Sequence, residues 1–404
     1  MMLRIMRDFS LSAAVAGLVA LFATYSGPVL IVVQAAQAGG LSAELLSTWI
    51  WAVSIGAGCA GLWPTLRHRM PVIGAWSTPG VALLISGLAQ YPFSDVIGCY
   101  LVLTVLVTLI GATGLFTWLM ARLPAPLLSA MIAGVLFQFC TKIFQALHGM
   151  PAVVLPVLVT YLLCRRALPR YAVAAALAVG ILVAAGHAGS APPVELTLAR
   201  PELTWPTFSL DALVGLGLPL LILALTQFAT AIHVLRNAGY EISPKSVVGV
   251  SGVISIPLSL FGSSGTNPAA IVGAICASPE SHADPRRRYI SGVVCGVGYL
   301  AIGIFGASVV ALFALLPAGL TTTLAGLALL GTLASSLASS LADETEREAA
   351  LVTFLATASG ISFFGLGSAL WGLVLGGLTL AVMKSRMPRS PHPVVAAGTP
   401  AEEP

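Results

Sequence analysis

The chain has 404 residues, of which 57% are hydrophobic and only 8% are charged. Soluble globular domains carry about 25% charged residues, so this composition excludes an ordinary soluble domain and indicates an integral membrane protein. The 19 Lys and Arg residues exceed the 15 Asp and Glu residues by four, and this net charge of +4 says little by itself. No nucleic-acid partner is predicted.

The apolar residues fall into fourteen segments, seven in each half of the chain. At about 20 residues per span, a chain of this length can cross a bilayer roughly 12 to 14 times. In the first half we predict segments at residues 11–38, 45–66, 72–88, 96–120, 125–147, 152–164 and 171–186. In the second half we predict segments at residues 212–235, 246–261, 268–277, 289–316, 321–341, 349–361 and 363–383.

The predicted domain plan follows from these segments. Residues 10–186 form a first repeat, a polar, proline-bearing linker occupies residues 187–207, and residues 208–385 form a second repeat. The Pro- and Ala-rich tail, residues 386–404, is predicted to be disordered and cytoplasmic.

The basic residues test this count and orient the chain. If the N-terminus is cytoplasmic and the segments alternate in direction, 17 of the 19 Lys and Arg residues fall at cytoplasmic ends, and only Lys142 and Arg200 do not. Cytoplasmic loops of membrane proteins are enriched in Lys and Arg. Both termini are therefore predicted to be cytoplasmic. Because seven is odd, two related halves must be inverted with respect to each other.

The third segment of each half is interrupted by a polar step that contains proline. The first step reads STPG at residues 77–80, and the second reads TNPA at residues 266–269. Backbone that leaves regular geometry inside a bilayer must be buried in protein or line a wet cavity. A matched pair of interrupted segments is therefore a strong indication of a transporter's binding site. The alternative is that both steps are ordinary proline kinks, which membrane helices tolerate.

Each interruption is predicted to open a short helix near the middle of the bilayer. Pro79 and Pro268 suit the first turn of a helix, and Thr78 and Asn267 directly precede them, where capping residues lie. The first N–H groups of such a helix have no internal partner, and the helix dipole adds roughly half a positive charge there. Two such ends facing each other would form a donor-rich pocket suited to a small anion such as a carboxylate.

Polar side chains in the apolar segments complete the predicted site. Gln34 and Gln227 each lie in the first segment of a half, and Trp76 precedes the first break, where it can stack on an aromatic ligand. The alternatives are helix–helix hydrogen bonds for the glutamines and simple packing for Trp76. The predicted substrate-binding residues are Gln34, Trp76, Ser77, Thr78, Pro79, Gly80, Gln227, Ser264, Thr266, Asn267 and Ala269.

The chemistry that is missing from the sequence limits the possible functions. No Asp or Glu lies in the middle of a segment, no P-loop or HExxH motif is present, and the six cysteines lack metal-ligand spacing. These absences argue against an ATP-driven pump, a membrane enzyme, and a metal or cofactor site. A secondary transporter for a small anion is the main prediction, and a passive anion channel is an alternative.

At these residues the chain resembles the BenE family of benzoate/proton symporters. The resemblance runs nearly end to end and is strongest at residues 33–39 (VQAAQAG), 75–84 (AWSTPGVALL) and 274–282 (AICASPESH). It implies that benzoate or a similar aromatic carboxylate is carried with protons across the inner (plasma) membrane. The alternatives on the same fold are a nucleobase-like or an inorganic anion substrate.

The family is similar in fold to nucleobase and sulfate carriers. This implies an all-α integral membrane fold of about fourteen segments in two inverted seven-segment repeats, often in a homodimer. A core domain, residues 10–121 plus 208–316, would move in an elevator-like way against a gate domain, residues 122–186 plus 317–385. Many family members carry histidine at the position of Ser264, so this chain lacks a titratable group there that could couple a proton.

Overall fold

The computed structural model describes residues 2–122, 124–188, 196–279, 281–314, 316–361, 363 and 367–386. Most of these residues are helical. The predicted tail, apart from Arg386, and residues 189–195 of the predicted linker lie outside the described residues.

The first half of the described chain contains ten α-helices and one short strand. They are α1 (Met2–Asp8), α2 (Leu11–Tyr25), α3 (Pro28–Ala38), α4 (Ala43–His68), β1 (Gly74–Trp76), α5 (Thr78–Gln90), α6 (Phe93–Thr113), α7 (Leu115–Met120), α8 (Ala125–Gly149), α9 (Pro151–Ala167) and α10 (Ala172–Ala188).

The second half of the described chain contains nine α-helices and one short strand. They are α11 (Leu210–Ala212), α12 (Leu218–Asn237), α13 (Pro244–Ser259), β2 (Thr266–Pro268), α14 (Ala270–Ala277), α15 (Tyr289–Ile304), α16 (Gly306–Ala314), α17 (Ala318–Ser340), α18 (Arg347–Ala358) and α19 (Ser368–Arg386). A π-helical turn, Leu213–Gly217, joins α11 to α12.

Six helical stretches among the described residues are long and apolar enough to cross a membrane. They are Leu11–Ala38, Ala43–His68, Phe93–Thr113, Ala125–Gly149, Leu210–Asn237 and Gly319–Ser340. The protein is therefore a multi-pass membrane protein. The other helices, apart from α1, overlap the predicted segments but do not meet the same length and hydropathy criteria. The count of fourteen crossings therefore stays a prediction.

Both predicted interruptions are present, and each consists of a short strand followed by a helix. β1 and β2 pair antiparallel, with Ala75 opposite Asn267 and Trp76 opposite Thr266. This pairing satisfies backbone N–H and C=O groups where the chain leaves helical geometry. The prediction of an all-α fold missed this two-stranded sheet, because three residues are too few to show a strand's period.

The first short helix, α5, begins at the first interruption as predicted, but its cap is a different residue. Ser77 is the cap, and its Oγ accepts a hydrogen bond of 3.0 Å from the N–H of Gly80. Thr78, which was predicted to be the cap, is the first helical residue. Pro79 lies in the first turn, where its missing N–H leaves no helical acceptor unpaired.

The second short helix, α14, begins later than predicted. Asn267 and Pro268 lie in β2, so the predictions that Asn267 caps the helix and that Pro268 opens it are wrong. Ala269 precedes the helix, and its own N–H donates to the carbonyl of Ile73 at 2.7 Å. Because an alanine has no polar side chain with which to cap the helix, the N-terminus of α14 stays open to a ligand.

A buried arginine holds the C-terminus of α14. Arg288 is 7% exposed, and its guanidinium donates to the carbonyls of Ala277 at 2.7 Å, His282 at 2.7 Å and Ala283 at 3.3 Å. A positive charge at a helix C-terminus also interacts favourably with the helix dipole. Arg288 thus anchors the far end of the short helix.

Glycine at the start of β1 allows the strand to lie directly against α4. A Cβ added at Gly74 would collide with the carbonyl oxygen of Ala57 and with the backbone nitrogen of Gly61. Both are backbone atoms, which cannot rotate away as a side chain could. β1 therefore packs directly against the backbone of α4, through a close contact that only glycine permits.

Candidate functional site

A cavity of about 580 Å³ lies where α5 and α14 begin. Its inner end is lined by Trp76 and Thr78 of the first interruption, by Asn267 and Ala269 of the second, and by Gln227 of α12. Its walls continue along α8, α12 and α17. The volume is in the range of small-molecule sites, about 300–1,000 Å³.

The two helix ends at the cavity offer unequal numbers of free N–H groups. In α5, the N–H of Gly80 is bonded to Ser77 and Pro79 has no N–H, which leaves the N–H of Thr78. In α14, the first N–H with a helical acceptor is that of Gly273. The three helical N–H groups before it have no partner within the helix. At the cavity, α14 therefore has more N–H groups without a helical acceptor than α5 has.

A chain of side-chain hydrogen bonds joins α12 to both interruptions. Asn267 Nδ2 donates to Gln227 Oε1 at 2.7 Å, and Gln227 Nε2 donates to Ser77 Oγ at 2.6 Å. These two bonds fix the rotation of the Gln227 amide. Because an amide nitrogen carries two hydrogens, Gln227 keeps one N–H for a ligand in the cavity.

Trp76 belongs to an aromatic cluster at the inner end of the cavity. Its ring centre is 5.4 Å from that of Tyr25 and 5.8 Å from that of Tyr299, and both pairs are edge-on. The side chain is only 3% exposed, so packing holds most of its surface. The part that lines the cavity offers a rigid apolar surface.

Within the described part of the chain, no Asp, Glu, Lys, Arg or His lines the cavity. The polarity of the described lining comes from helix ends, amides and hydroxyl groups. Nor do three or more His, Cys, Asp or Glu residues of the described ranges form a group that could hold a metal ion. The arrangement suits an anion held by hydrogen-bond donors rather than by a countercharge.

The predicted site residues divide between this cavity and a smaller chamber. The cavity is lined by Trp76, Thr78, Pro79, Gln227, Asn267 and Ala269. Ser77, Ser264 and Thr266 line a chamber of about 20 Å³, which they share with Asn267. Gly80 is bonded to Ser77, and Gln34 of α3 lines neither space. The role of these residues in substrate binding stays a prediction.

Hydroxyl groups along the cavity walls were not predicted. On α17 they belong to Thr332, Ser335, Ser336 and Ser339. Their spacing of i, i+3, i+4 and i+7 places them on one face of the helix, so this stripe is visible in the sequence once the segment is read as a helix. Thr230 of α12 lines the cavity as well.

Comparison with known proteins gives a family. The BenE family model, described as benzoate membrane transport protein, matches residues 7–382. The chain is 36% identical over 379 residues to the benzoate membrane transport protein of Acinetobacter baylyi, covering 93% of this chain and 96% of that protein. It is 37% identical over 383 residues to the inner membrane protein YdcO of Escherichia coli, covering 94% of this chain and 98% of that protein.

Among solved structures, the fold is similar to that of murine solute carrier 26 family member A9, an anion transporter in the inward-facing state. The TM-score is 0.62 at 11% sequence identity, covering 94% of this chain and 69% of that chain. This likeness shows a shared fold. The family match and the two identities above one third show that the chain belongs to the BenE benzoate membrane transport family, and that it is a membrane transport protein and not an enzyme.

Proposed function

We propose that the protein is a secondary transporter that carries benzoate, or a closely similar aromatic carboxylate, with a proton across the inner membrane. The observation that carries this proposal is the cavity at the starts of α5 and α14, which presents N–H and amide donors without a charged side chain among its described lining residues. Helix N-termini bind carboxylates in this way. The family and the name of the A. baylyi relative agree with this substrate class.

The substrate carboxylate is proposed to lie at the open N-terminus of α14, within reach of the free N–H of Gln227. Leu128 and Ile132 of α8, Val173 of α10 and Trp76 line the same cavity and would contact the ring. Small-molecule sites combine such apolar walls with a few polar groups that orient the ligand. An inorganic anion would leave the apolar walls unused, which favours an organic substrate.

The proton is proposed to travel on the substrate carboxyl or on an ordered water beside it. The described lining of the cavity offers no carboxylate or imidazole that could take the proton. A carboxyl group at a helix N-terminus is held most strongly as the anion, so a substrate that carries its own proton would be bound more weakly than the anion.

The helix packing supports two inverted repeats of seven segments. Helix pairs recur in matched sets: α3 packs on α5 as α12 packs on α14, α6 packs on α13 as α15 packs on α4, and α9 packs on α10 as α18 packs on α19. The fifth segments of the two halves, α8 and α17, pack against each other. A pseudo-two-fold axis in the membrane plane relates such repeats.

Breaks within helices recur at corresponding places in both halves. The first segment is divided between α2 and α3, and the eighth is disturbed by the π-helical turn before α12. A proline lies at the start of each following helix, Pro28 as the first residue of α3 and Pro219 as the second residue of α12. The fourth segment is divided between α6 and α7, and the eleventh between α15 and α16. These matched breaks also support an internal duplication.

We further propose that the structure is the inward-facing state of an elevator. The cavity extends to Ala125 at the start of α8 and to Ser339 near the end of α17, and both residues are exposed. These ends adjoin Arg122 and Arg347, and the Lys/Arg bias assigns such ends to the cytoplasm. The core that holds the interruptions would move against α8 and α17 to open the cavity on the opposite side.

The experiment that tests this function is counterflow of benzoate in proteoliposomes. Because a neutral acid permeates lipid unaided, uptake must be compared with protein-free liposomes and with liposomes that hold the Asn267→Ala variant. Saturable exchange of labelled for unlabelled benzoate at equal pH on both sides, faster for the wild type than for either control, supports transport. An inward proton gradient should then drive accumulation above both controls.

Each other outcome leads to a different assignment. No counterflow with benzoate, together with exchange of uracil or sulfate, would move the assignment to the alternative substrates. Flux that neither saturates nor shows counterflow would indicate a channel. Saturable counterflow that does not respond to a proton gradient would keep the substrate and remove the proton coupling.

A further inference from the structure

A small chamber, lined by apolar side chains as well as hydroxyl groups, lies between Ser77, β2 and helices α6, α12 and α13. Its volume is about 20 Å³, and its lining includes Ser77, Thr104, Ser255, Ser264, Thr266 and Asn267. About 10–15 Å³ is enough to hold one water molecule. None of the described lining residues is charged, so an unpaired ion would be poorly stabilised there.

One hydroxyl group in the chamber lacks a hydrogen-bond partner. Ser264 is 7% exposed, and its Oγ has no donor or acceptor among the residues that the structure describes. A buried polar group without a partner is costly, and buried waters typically bond such groups. The lining of the chamber therefore includes a side chain that can bind a small polar molecule.

A second hydroxyl group that lines the chamber, that of Ser77, accepts two hydrogen bonds and still has its own proton to donate. Ser77 Oγ accepts from Gln227 Nε2 at 2.6 Å and from the N–H of Gly80 at 3.0 Å, which occupies both of its lone pairs. Its own O–H is left to donate. Thr104 gives its proton to the carbonyl of Tyr100 at 2.9 Å, so the Thr104 oxygen is left to accept.

We propose that the chamber binds one ordered water molecule that bridges Ser77 and Ser264. The water accepts the proton of Ser77, donates to Thr104 and forms a third bond with Ser264. Three hydrogen bonds are typical of a buried water. This water joins Ser77 of the first interruption to Ser264, just before the second, in a chamber that shares Asn267 with the ligand cavity.

The bound water makes Ser264 a positioning residue for the ligand cavity. While Ser77 donates to the water, its lone pairs face Gln227, and Gln227 keeps its carbonyl for Asn267 and one N–H for the cavity. Loss of the Ser264 hydroxyl weakens the water and leaves the Ser77 O–H without its acceptor. Ser77 can then donate to Gln227 only if the amide flips to present Oε1, which breaks the bond from Asn267. This effect on affinity rests on the proposed function, whereas the water itself does not.

The test compares two serine-to-alanine variants in the full-length protein. Ser264→Ala removes the hydroxyl and keeps the side-chain volume nearly constant. Ser259→Ala is the matched control, because Ser259 is buried in α13 outside the chamber, with its hydroxyl bonded to the carbonyl of Ile256 at 2.7 Å.

A wild-type structure that resolves ordered waters should show one within hydrogen-bond distance of both Ser77 and Ser264. In Ser264→Ala this water should be weakened or absent. The affinity for benzoate, measured by calorimetry, should fall about three- to tenfold in Ser264→Ala, and its unfolding temperature should stay close to that of Ser259→Ala.

Three results would overturn the proposal. One is a wild-type map that shows other buried waters but none in the chamber. Another is an equal loss of affinity in Ser264→Ala and Ser259→Ala. The third is stabilisation by sodium chloride over choline chloride that Ser264→Ala abolishes, because this would make the chamber a cation site.

Two further measurements keep the result decisive. If Ser264→Ala does not fold, Thr104→Val removes the proposed acceptor at constant shape and gives the same affinity comparison. If the wild type does not bind benzoate, the map and the comparison of sodium chloride with choline chloride still show whether the chamber holds a water. Failure of the water proposal is therefore distinguishable from failure of the proposed function.

Discussion

Gln227 and Ser77, 150 positions apart in the chain, are joined by a hydrogen bond of 2.6 Å from Nε2 to Oγ. The same Oγ caps α5 through the N–H of Gly80 at 3.0 Å. One oxygen atom thus holds both the start of a short helix and the amide that lines the ligand cavity. We therefore expect Ser77 to couple the stability of the first interruption to the affinity for a ligand.

Replacing Ser77 by alanine should affect stability and binding together. Loss of the cap should lower the free energy of unfolding by about 1 kcal/mol. Loss of the acceptor for Gln227 should lower the affinity for benzoate about tenfold. The control is Ser86→Ala on the same helix, where the hydroxyl donates to the carbonyl of Leu83 at 2.9 Å, outside the ligand cavity. Equal losses in both variants would contradict this role of Ser77.

Gln227→Glu should make binding depend on pH. At neutral pH the new carboxylate repels the substrate carboxylate and cannot donate to Ser77, so affinity should fall more than about tenfold. Protonation restores a donor, so the affinity relative to the wild type should recover as the pH falls towards about 4.3, the ordinary pKa of Glu. Binding titrations of both proteins at each pH correct for titration of the substrate. Gln34→Glu is the matched control outside the cavity, and it should show no such recovery.

Arg288→Lys should destabilise the protein although the charge is kept. A lysine cannot donate to three carbonyls in the fixed directions that the guanidinium uses, and buried carbonyls would lose their partners. The expected loss is about 2 kcal/mol in the free energy of unfolding, measured by denaturation in detergent. Arg286→Lys, at an exposed position two residues earlier, should be within about 0.5 kcal/mol of the wild type. A tolerated Arg288→Lys would show that the guanidinium bonds are dispensable.

Gly74→Ala should prevent β1 from packing against α4. The added methyl group meets the backbone of α4, so either the strand moves or the protein fails to fold. We expect little properly folded protein in size-exclusion chromatography and no benzoate binding by whatever remains. Gly377→Ala, where no atom lies within 4 Å of the new Cβ, should behave like the wild type. A normal yield of binding-competent Gly74→Ala protein would refute the close contact.

The direction in which the cavity opens can be measured by cysteine labelling. Ser335→Cys and Ser339→Cys should react with a membrane-impermeant thiol reagent from the cytoplasmic side, because both positions are exposed and line the cavity. Glu202→Cys, also exposed but in the predicted linker, should react from the opposite side. Labelling is read above the background of the six native cysteines. Labelling of Ser339→Cys from the same side as Glu202→Cys would contradict an inward-facing cavity.

Both interruptions were predictable because a bilayer leaves few roles for polar and proline residues in an apolar segment. Trp76, Thr78, Gln227 and Asn267, found by that reasoning, do lie around one cavity. The amphipathic stripe on α17 was overlooked, because serine and threonine are common in membrane helices and carry no charge to mark them.

Long-range contacts decided the features that the sequence could not show. Thr78 and Asn267 occupy similar local motifs, yet Asn267 lies in a strand because it pairs with Ala75 on the other half of the chain. Gln34 and Gln227 occupy similar apolar segments, yet only Gln227 lines the cavity, because the rotation of each helix is set by its neighbours. The local sequence around a residue does not show which strand it pairs with or which way its helix is rotated.

The pairing of β1 with β2 also has a consequence for biosynthesis. The ribosome makes Gly74–Trp76 well before Thr266–Pro268, so the first strand is delivered to the membrane while its hydrogen-bonding partner is still missing. Backbone N–H and C=O groups without partners are not stable in lipid. The first interruption must therefore stay in contact with water or with another protein while the second half is made. A chain that ends before β2 cannot form the cavity, so the cavity can form only after the second interruption has been made and inserted.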